Sequence, residues 1–94
     1  MKLDVLKEVY EVVQDRKTNP KPSSYVSSLI REGLEKILAK VEEESEELIE
    51  AARQDNPSEI IHEAVDLIFH VFVLLVSKNI KLEEILEEFR KRRK

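Results

Sequence analysis

The stretch VEEESEELIEAARQDNPSEIIHEAVD, residues 41–66, decides how this chain folds. Its first half is rich in strong helix formers, and Asp55-Asn56-Pro57 then interrupts the helical pattern. Because proline suits the first turn of a helix, a second helix is expected to start at Pro57. The stretch therefore predicts two helices, at about 34–53 and 57–78, that fold back on each other about Asp55.

Each of these predicted helices carries two acids three residues apart, Glu44 and Glu47 on the first and Glu63 and Asp66 on the second. Residues three apart lie on the same side of a helix. Glu47 and Glu63 are each eight residues from Asp55, and Glu44 and Asp66 are each eleven away. An antiparallel pair would place the four carboxylates in two matched layers, about 4.5 Å apart along the axis.

Two of these acids interrupt apolar surface, since Glu44 lies on a stripe of apolar residues and Asp66 lies inside an apolar run. Four carboxylates brought together repel one another unless a counter-charge is present. A divalent cation would supply that charge, and an all-oxygen ligand set favours Mg²⁺ or Mn²⁺ over zinc. The alternative is that the acids are solvated, as is expected for Glu42, Glu46 and Glu50.

Shorter helices flank the pair. Apolar residues at helical spacing predict a first helix at 2–16, followed by a proline-containing loop at about 17–22. Ser23 or Ser24 is expected to cap a short helix that ends at Arg31, and Gly33 marks a bend. Asn79 is the expected end of the fourth helix, and residues 81–93 form the last one. The residues expected to point inward from the short helix are Tyr25, Leu29 and Ile30.

The run at 65–76 has ten apolar residues of twelve. Considered alone it is too short and too interrupted to span a bilayer, which predicts no membrane association. A helix that is apolar nearly all round must be covered on several sides. We therefore expect one all-α domain at 1–94, a bundle of about five helices completed by oligomerisation into at least a homodimer.

The composition excludes several classes of protein. The chain of 94 residues has no cysteine, so it has neither disulfides nor thiolate metal sites, which fits a cytoplasmic location. No signal peptide is apparent in residues 1–14. The net charge of −4 argues against nucleic acid as a partner.

At this point the residues resemble the all-α, MazG-like nucleoside-triphosphate pyrophosphohydrolases, whose mark is EExxE on one helix and ExxD on the next. These motifs stand here at residues 43–47 and 63–66. Within that superfamily the chain is most similar to the phosphoribosyl-ATP pyrophosphatase family. The features that carry this similarity are PSSYVSSL at 22–29, Gly33, Lys36-Ile37, Lys40-Val41 and VDLIFH at 65–70.

The resemblance implies Mg²⁺-dependent hydrolysis of phosphoribosyl-ATP to phosphoribosyl-AMP and pyrophosphate, the second step of histidine biosynthesis. It implies that Glu44, Glu47, Glu63 and Asp66 bind the metal, with Mn²⁺ as a possible substitute. Glu43 is then a further ligand or the general base, so Glu43 and Glu44 are the expected catalytic residues.

Five further residues are candidates for supporting roles. Lys36 and Lys40 are candidates for contacts with phosphate oxygens, although Lys40 can instead pair with Glu43 or Glu44. The other candidates for contact with the substrate are Arg16 and Lys17. His70, one turn from Asp66, is either an orienting partner of the ligands or a hydrogen-bonded core histidine.

Three other interpretations compete with this one. Glu59-Ile60-Ile61-His62 has the Glu-x-x-His spacing of di-iron bundles, but those sites need the element twice and only one copy is present. A house-cleaning pyrophosphohydrolase acting on free nucleoside triphosphates would share the acids. A non-enzymatic helical interaction protein would show neither hydrolysis nor stabilisation by Mg²⁺.

Overall fold

The computed structural model describes residues 4–93, which form five α-helices and no β-strand. The helices are α1 Asp4–Thr18, α2 Tyr25–Glu32, α3 Leu34–Arg53, α4 Pro57–Ser77 and α5 Leu82–Arg92. The prediction of an all-α fold with about five helices is confirmed. The bounds of α3 are those predicted, whereas α1 continues two residues beyond its predicted end. The predicted start of the first helix, at residue 2, lies outside the described residues.

The α3–α4 hairpin is the main packing unit, and residues 54–56 connect its two helices. Asp55 has a φ of 55°, in the left-handed region that aspartate tolerates better than most residues. The Asn56 side chain then caps α4 by accepting a hydrogen bond from the Glu59 amide at 3.4 Å. The chain therefore reverses at Asp55, as the sequence predicts.

The core lies where α1 and α2 pack on the hairpin, and its buried residues are Tyr10, Val13, Val26, Leu29, Ile37, Val73 and Val76. Ser24 caps α2 by accepting a hydrogen bond from the Ser27 amide at 3.1 Å. Because α2 begins at Tyr25, Val26 and Leu29 face inward. The prediction that Tyr25 points inward is wrong, since this residue is 50% exposed.

Tyr10 connects α1 to the segment between α4 and α5. It is fully buried, its hydroxyl donates to the Ile80 carbonyl at 2.7 Å, and its ring packs edge-on against Phe72. We expect Tyr10→Phe to lower the free energy of unfolding by about 1 kcal/mol, because the Ile80 carbonyl loses its donor while the ring packing stays. Urea denaturation measures this, and an unchanged midpoint would contradict the assigned role of the hydroxyl.

Other segments of the chain cover only part of the surface of α4. The whole helix of 21 residues is long and apolar enough to cross a membrane, with a mean hydropathy of 1.9 over its most apolar window. Core helices of soluble proteins meet the same criterion of length and composition. Only 17% of that window is buried within the chain. Ile61, Val65 and Ile68 are 66%, 59% and 48% exposed, so one face of α4 has no apolar cover from the described residues.

Candidate metal centre

The hairpin brings acids of α3 and α4 together. One carboxylate oxygen from each of Glu44, Glu47 and Glu63 can be chosen so that all three lie within 4.8 Å of one another. Glu44 and Glu63 are buried, at 5% and 9% exposure, whereas Glu47 is exposed. The predicted pairing of Glu47 with Glu63 across the hairpin is thus present in the geometry.

Two oxygens in this group have no hydrogen-bond partner. They are Oε2 of Glu44 and Oε2 of Glu63, and both are buried. A buried carboxylate oxygen without a donor carries a desolvation cost that is normally offset by a cation or a hydrogen bond. Buried carboxylate oxygens without a donor are what a metal site is expected to contain when no ion is bound.

The electrostatics of the group agree with this. Protonated Glu63 can share a hydrogen bond with Glu47 that the ionised pair cannot form, and this bond, together with burial and the Glu47 charge, raises the pKa of Glu63 to about 7, although His62 opposes the shift. Burial, followed by the charges of Glu47 and Asp66, also raises the pKa of Glu44. Crowded carboxylates hold protons more tightly because their ionised forms repel. A divalent cation would favour the ionised forms instead.

Asp66 belongs to a second group, which overlaps the first. His62, Glu63 and Asp66 each offer one ligand atom, and these atoms also lie within 4.8 Å of one another. His62 Nε2 is 3.4 Å from Asp66 Oδ2 and 3.7 Å from Glu63 Oε1. Glu59 is in neither group, so the structure gives the Glu-x-x-His alternative no support among residues 4–93.

Lys40 borders the acids from α3. Its ammonium nitrogen lies 3.4 Å from Glu43 Oε2 and 3.6 Å from Glu44 Oε1. Glu43 is exposed and lies outside both potential ligand groups, and Lys36 is exposed one turn before Lys40. The pairing of Lys40 with both acids is thus present, and it leaves the ammonium beside the candidate metal centre.

Tyr25 and His70 lie behind Asp66. His70 Nδ1 is 2.7 Å from the Asp66 carbonyl oxygen, and His70 Nε2 is 2.7 Å from the Tyr25 hydroxyl. A carbonyl only accepts hydrogen bonds, so Nδ1 donates to it, and Nε2 forms the second hydrogen bond of the ring with the Tyr25 hydroxyl. Burial, with added charge from Glu44 and Asp66 and opposition from Lys40, raises the pKa of the tyrosine hydroxyl. His70 is thus a hydrogen-bonded buried histidine whose contact is with the Asp66 backbone.

Arg16 and Lys17 are held elsewhere. Arg16 pairs with Asp15 at 2.7 Å, and the Lys17 ammonium donates to the Val76 carbonyl and the Asn79 side chain near the end of α4. Thirteen residues separate Val76 from Glu63, which is about 20 Å along a helix. Within one copy the structure therefore places Lys17 away from the acids, and the ion pair of Arg16 is with its neighbour Asp15.

The structure brings Glu44, Glu47 and Glu63 together and places Asp66 in a second group with His62 and Glu63, and two residues near these acids were not predicted there. The sequence points to His62 only through its di-iron spacing from Glu59, although its four-residue spacing from Asp66 also places His62 and Asp66 on one face of α4. Tyr25 was expected in the core, and its half-exposed ring instead borders the acids. The hydroxyl's contact with His70 joins α2 to α4 and depends on tertiary packing, for which a single sequence holds no signal.

A cleft opens beside the acids at the closed end of the hairpin. It has a volume of about 340 Å³ and is lined by Glu47, Glu50, Ala51, Gln54, Glu59 and Glu63. Carboxylate oxygens are the ligands that Mg²⁺ and Mn²⁺ prefer. The donor set, its two unpartnered oxygens and the open cleft therefore fit a hard divalent cation.

Comparison with known proteins agrees with this geometry. Residues 6–93 match the model of the family described as phosphoribosyl-ATP pyrophosphohydrolase. A phosphoribosyl-ATP pyrophosphatase of Methanocella arvoryzae is 54% identical over 93 residues, covering 97% of this chain and 98% of that protein. One from Clostridium novyi is 48% identical, covering 98% and 84%. A histidine biosynthesis bifunctional protein of Caldanaerobacter subterraneus is 44% identical, covering 98% and 45%. This chain belongs to the phosphoribosyl-ATP pyrophosphohydrolase family.

Proposed function

We propose that this protein hydrolyses phosphoribosyl-ATP to phosphoribosyl-AMP and pyrophosphate, as a cytoplasmic enzyme of histidine biosynthesis. Family membership supports the substrate, because the relatives carry this activity in their names. The observation that carries the chemistry is the pair of buried, unpartnered oxygens of Glu44 and Glu63. A divalent cation would offset the charge of their ionised forms, and the same ion would offset charge on a polyphosphate substrate.

Glu44, Glu47, Glu63 and Asp66 would hold the ion, which we propose to be Mg²⁺. When bound, the metal supplies positive charge that offsets the charge of the departing pyrophosphate and makes a water molecule more acidic. The buried pair of carboxylates fixes the ligands in place because α3 and α4 pack tightly around them. His70 orients Asp66 only through its backbone carbonyl.

Residues around the acids take the remaining roles. Lys40 lies next to the ligands, and Lys36 is exposed one turn earlier, so both are placed for phosphate oxygens. Glu43 lies outside the ligand groups and faces solvent, which suits an acid that accepts a proton from the attacking water. Glu44 would hold the ion through its negative charge, so an uncharged side chain at this position could not take that role.

Substrate screening tests the proposed function. We expect pyrophosphate release from phosphoribosyl-ATP with Mg²⁺ to exceed release from ATP or a deoxynucleoside triphosphate by at least ~100-fold in kcat/KM. Comparable turnover of the plain triphosphates would make the enzyme a house-cleaning pyrophosphohydrolase. Absence of any hydrolysis, with no effect of Mg²⁺ on thermal stability, would make it a non-enzymatic interaction protein.

We also propose that two copies of this single domain form a homodimer through α4. Ile61, Val65 and Ile68 are exposed at four- and three-residue spacing, which makes one apolar stripe on the helix. Such a stripe on a chain with 38% charged residues marks an interface, and a second copy offers the same stripe. A dimer would also cover the helix without any membrane.

Ile68→Asp tests this interface. The substitution places a charge in the centre of the stripe, so we expect the solution mass, measured by sedimentation, to fall from that of two chains to that of one. Val5→Asp is the matched control, because Val5 is 55% exposed in the first turn of α1 and outside the stripe. A dimer that persists in Ile68→Asp, or that is lost equally in Val5→Asp, would contradict the proposed surface.

A further inference from the structure

Tyr25 presents an aromatic ring to solvent beside the acids, although a buried residue holds the end of its side chain. The residue is 50% exposed, whereas its hydroxyl is 2.7 Å from Nε2 of His70, which is only 6% exposed. His70 Nδ1 donates to the Asp66 carbonyl, and the rings of Tyr25 and His70 meet edge-on with their centroids 5.7 Å apart. The exposed ring of Tyr25 is therefore held in one orientation before any ligand binds.

The Tyr25–His70 pair lies one helical turn beyond the acids, on the side away from the connection between α3 and α4. On α4, His70 follows Asp66 by four residues. On α3, Lys40 precedes Glu44 by four residues, and its ammonium lies 3.6 Å from that carboxylate. Four residues of helix correspond to about 6 Å along the axis. Burial raises the pKa of the Tyr25 hydroxyl and the Lys40 charge opposes that shift, which agrees with a short separation of these two groups.

A nucleotide whose phosphates lie on the acids can extend in either of two directions along the hairpin. Toward the connection lies the cleft of about 340 Å³. The residues that line it are Glu47, Glu50, Ala51, Gln54, Glu59 and Glu63. Four of these described side chains are carboxylates and none is aromatic, so the cleft offers a base no stacking surface. In the other direction lie an ammonium and an exposed aromatic ring, and aromatic rings stack on bases because every base has a π-face.

We propose that the exposed ring of Tyr25 is the stacking surface for the purine base of the substrate, while the phosphates lie on the acids and Lys40. This assignment rests on the proposed function, because it takes a purine nucleotide as the substrate. It gives the PSSYVSSL segment at 22–29 a part in recognising the substrate. The competing account is that Tyr25 only ties α2 to α4 through its hydrogen bond with His70.

Nuclear magnetic resonance can observe the ring of Tyr25 directly, because the chain has only two tyrosines. The other one, Tyr10, is fully buried and packs against Phe72. In protein with carbon-13 in its tyrosine rings, the ring current of a stacked purine should shift the Tyr25 resonances and leave those of Tyr10 in place. Phosphoribosyl-AMP with Mg²⁺ is the probe, and pyrophosphate with Mg²⁺ is the matched ligand that lacks a base.

Two substitutions at Tyr25 separate the ring from the hydroxyl. Tyr25→Leu removes the stacking surface, so we expect KM for phosphoribosyl-ATP to rise by at least ~10-fold, with a much smaller change in kcat. Tyr25→Phe keeps the ring and loses only the hydrogen bond with His70, so its KM should stay closer to the native value than to that of Tyr25→Leu. Phe89→Leu is the matched control, because Phe89 is 66% exposed on α5 and the same change there should leave KM unaltered.

Three results would overturn the stacking role and leave Tyr25 as a tie between α2 and α4. They are equal rises in KM for Tyr25→Phe and Tyr25→Leu, Tyr25 resonances that do not move with phosphoribosyl-AMP, and resonances that move as far with pyrophosphate. Failure of the proposed function is a different result, because the native protein itself would then release no pyrophosphate from phosphoribosyl-ATP. The assignment to a purine base would fall with it.

Discussion

Replacing Glu44 with glutamine should reduce pyrophosphate release from phosphoribosyl-ATP by at least ~100-fold, the effect of losing about 3 kcal/mol of transition-state stabilisation. Glutamine has nearly the same shape, but it is uncharged and binds divalent cations weakly. The loss follows because Glu44 is buried beside Glu47 and Glu63 and is one of the three acids of that ligand group. The rate under saturating Mg²⁺ and substrate is the measurement.

The same substitution should raise the melting temperature of the metal-free protein. Glu44 is buried, its pKa is raised by burial and by the Glu47 charge, and its Oε2 has no donor. A glutamine removes one repelling charge and can donate to a neighbouring carboxylate. A variant that is more stable and yet inactive separates a functional role from a structural one.

Glu46→Gln is the matched control for this experiment. Glu46 lies two residues along the same helix and is exposed, and it is in neither ligand group. Glu46→Gln makes the same chemical change at an exposed position outside the ligand groups. Both the rate and the melting temperature should therefore stay close to those of the native protein. If Glu44→Gln keeps near-normal activity, or if Glu46→Gln loses as much, the proposed metal ligands are wrong.

The second large effect concerns pH and metal together. The pKa of Glu63 is about 7 in the folded protein, above its ordinary value of 4.5. The folded state therefore holds a proton that the unfolded state has released, and stability contributed by this group falls as pH rises from about 4.5 to 7. Above pH 7 the ionised carboxylate carries its full penalty in the absence of metal.

Glu63→Gln makes this visible, since glutamine does not titrate. Metal-free native protein should be less stable than Glu63→Gln at pH 8, and the difference should shrink toward pH 5. Urea denaturation at several pH values, in the presence of a chelator, measures the difference between the two proteins. A difference that does not change with pH would contradict the crowding of Glu63 with Glu47.

Added Mg²⁺ should reverse the order at pH 8. An ion present at 100 times its dissociation constant stabilises a folded protein by about 2.7 kcal/mol. The gain should be smaller at pH 5, because protons then compete with the metal for Glu63. Glu63→Gln should gain little at either pH, and an equal gain in both proteins would place the ion somewhere else.

The hairpin could be predicted from the sequence because its signals are local. Asn56 and Pro57 fix the start of α4, and the spacing of Glu47 and Glu63 about Asp55 fixes their register. Local sequence signals did not predict which face of α3 each acid lies on. Glu43, next to Glu44 in sequence, turns toward Lys40 and solvent because only one face of α3 packs on α4.

Contacts between distant segments were the least predictable. Lys17 reaches the end of α4 and Tyr25 reaches His70, and each contact depends on how α1 and α2 settle on the hairpin. A periodic apolar pattern specifies that a helix packs, but not which polar ends meet. The prediction that Tyr25 points inward is wrong for this reason. The cap at Ser24 sets where α2 begins and thus which of its residues face the core.

The connection of only three residues between α3 and α4 has a consequence for assembly. All five side chains of the two ligand groups come from residues 44–66, so they meet through sequence-local contacts with a small loop-closure cost. The five side chains therefore depend on the packing of one antiparallel helix pair rather than on contacts with α1 or α5. In the Caldanaerobacter subterraneus relative, the region that matches nearly all of this chain makes up 45% of a longer polypeptide.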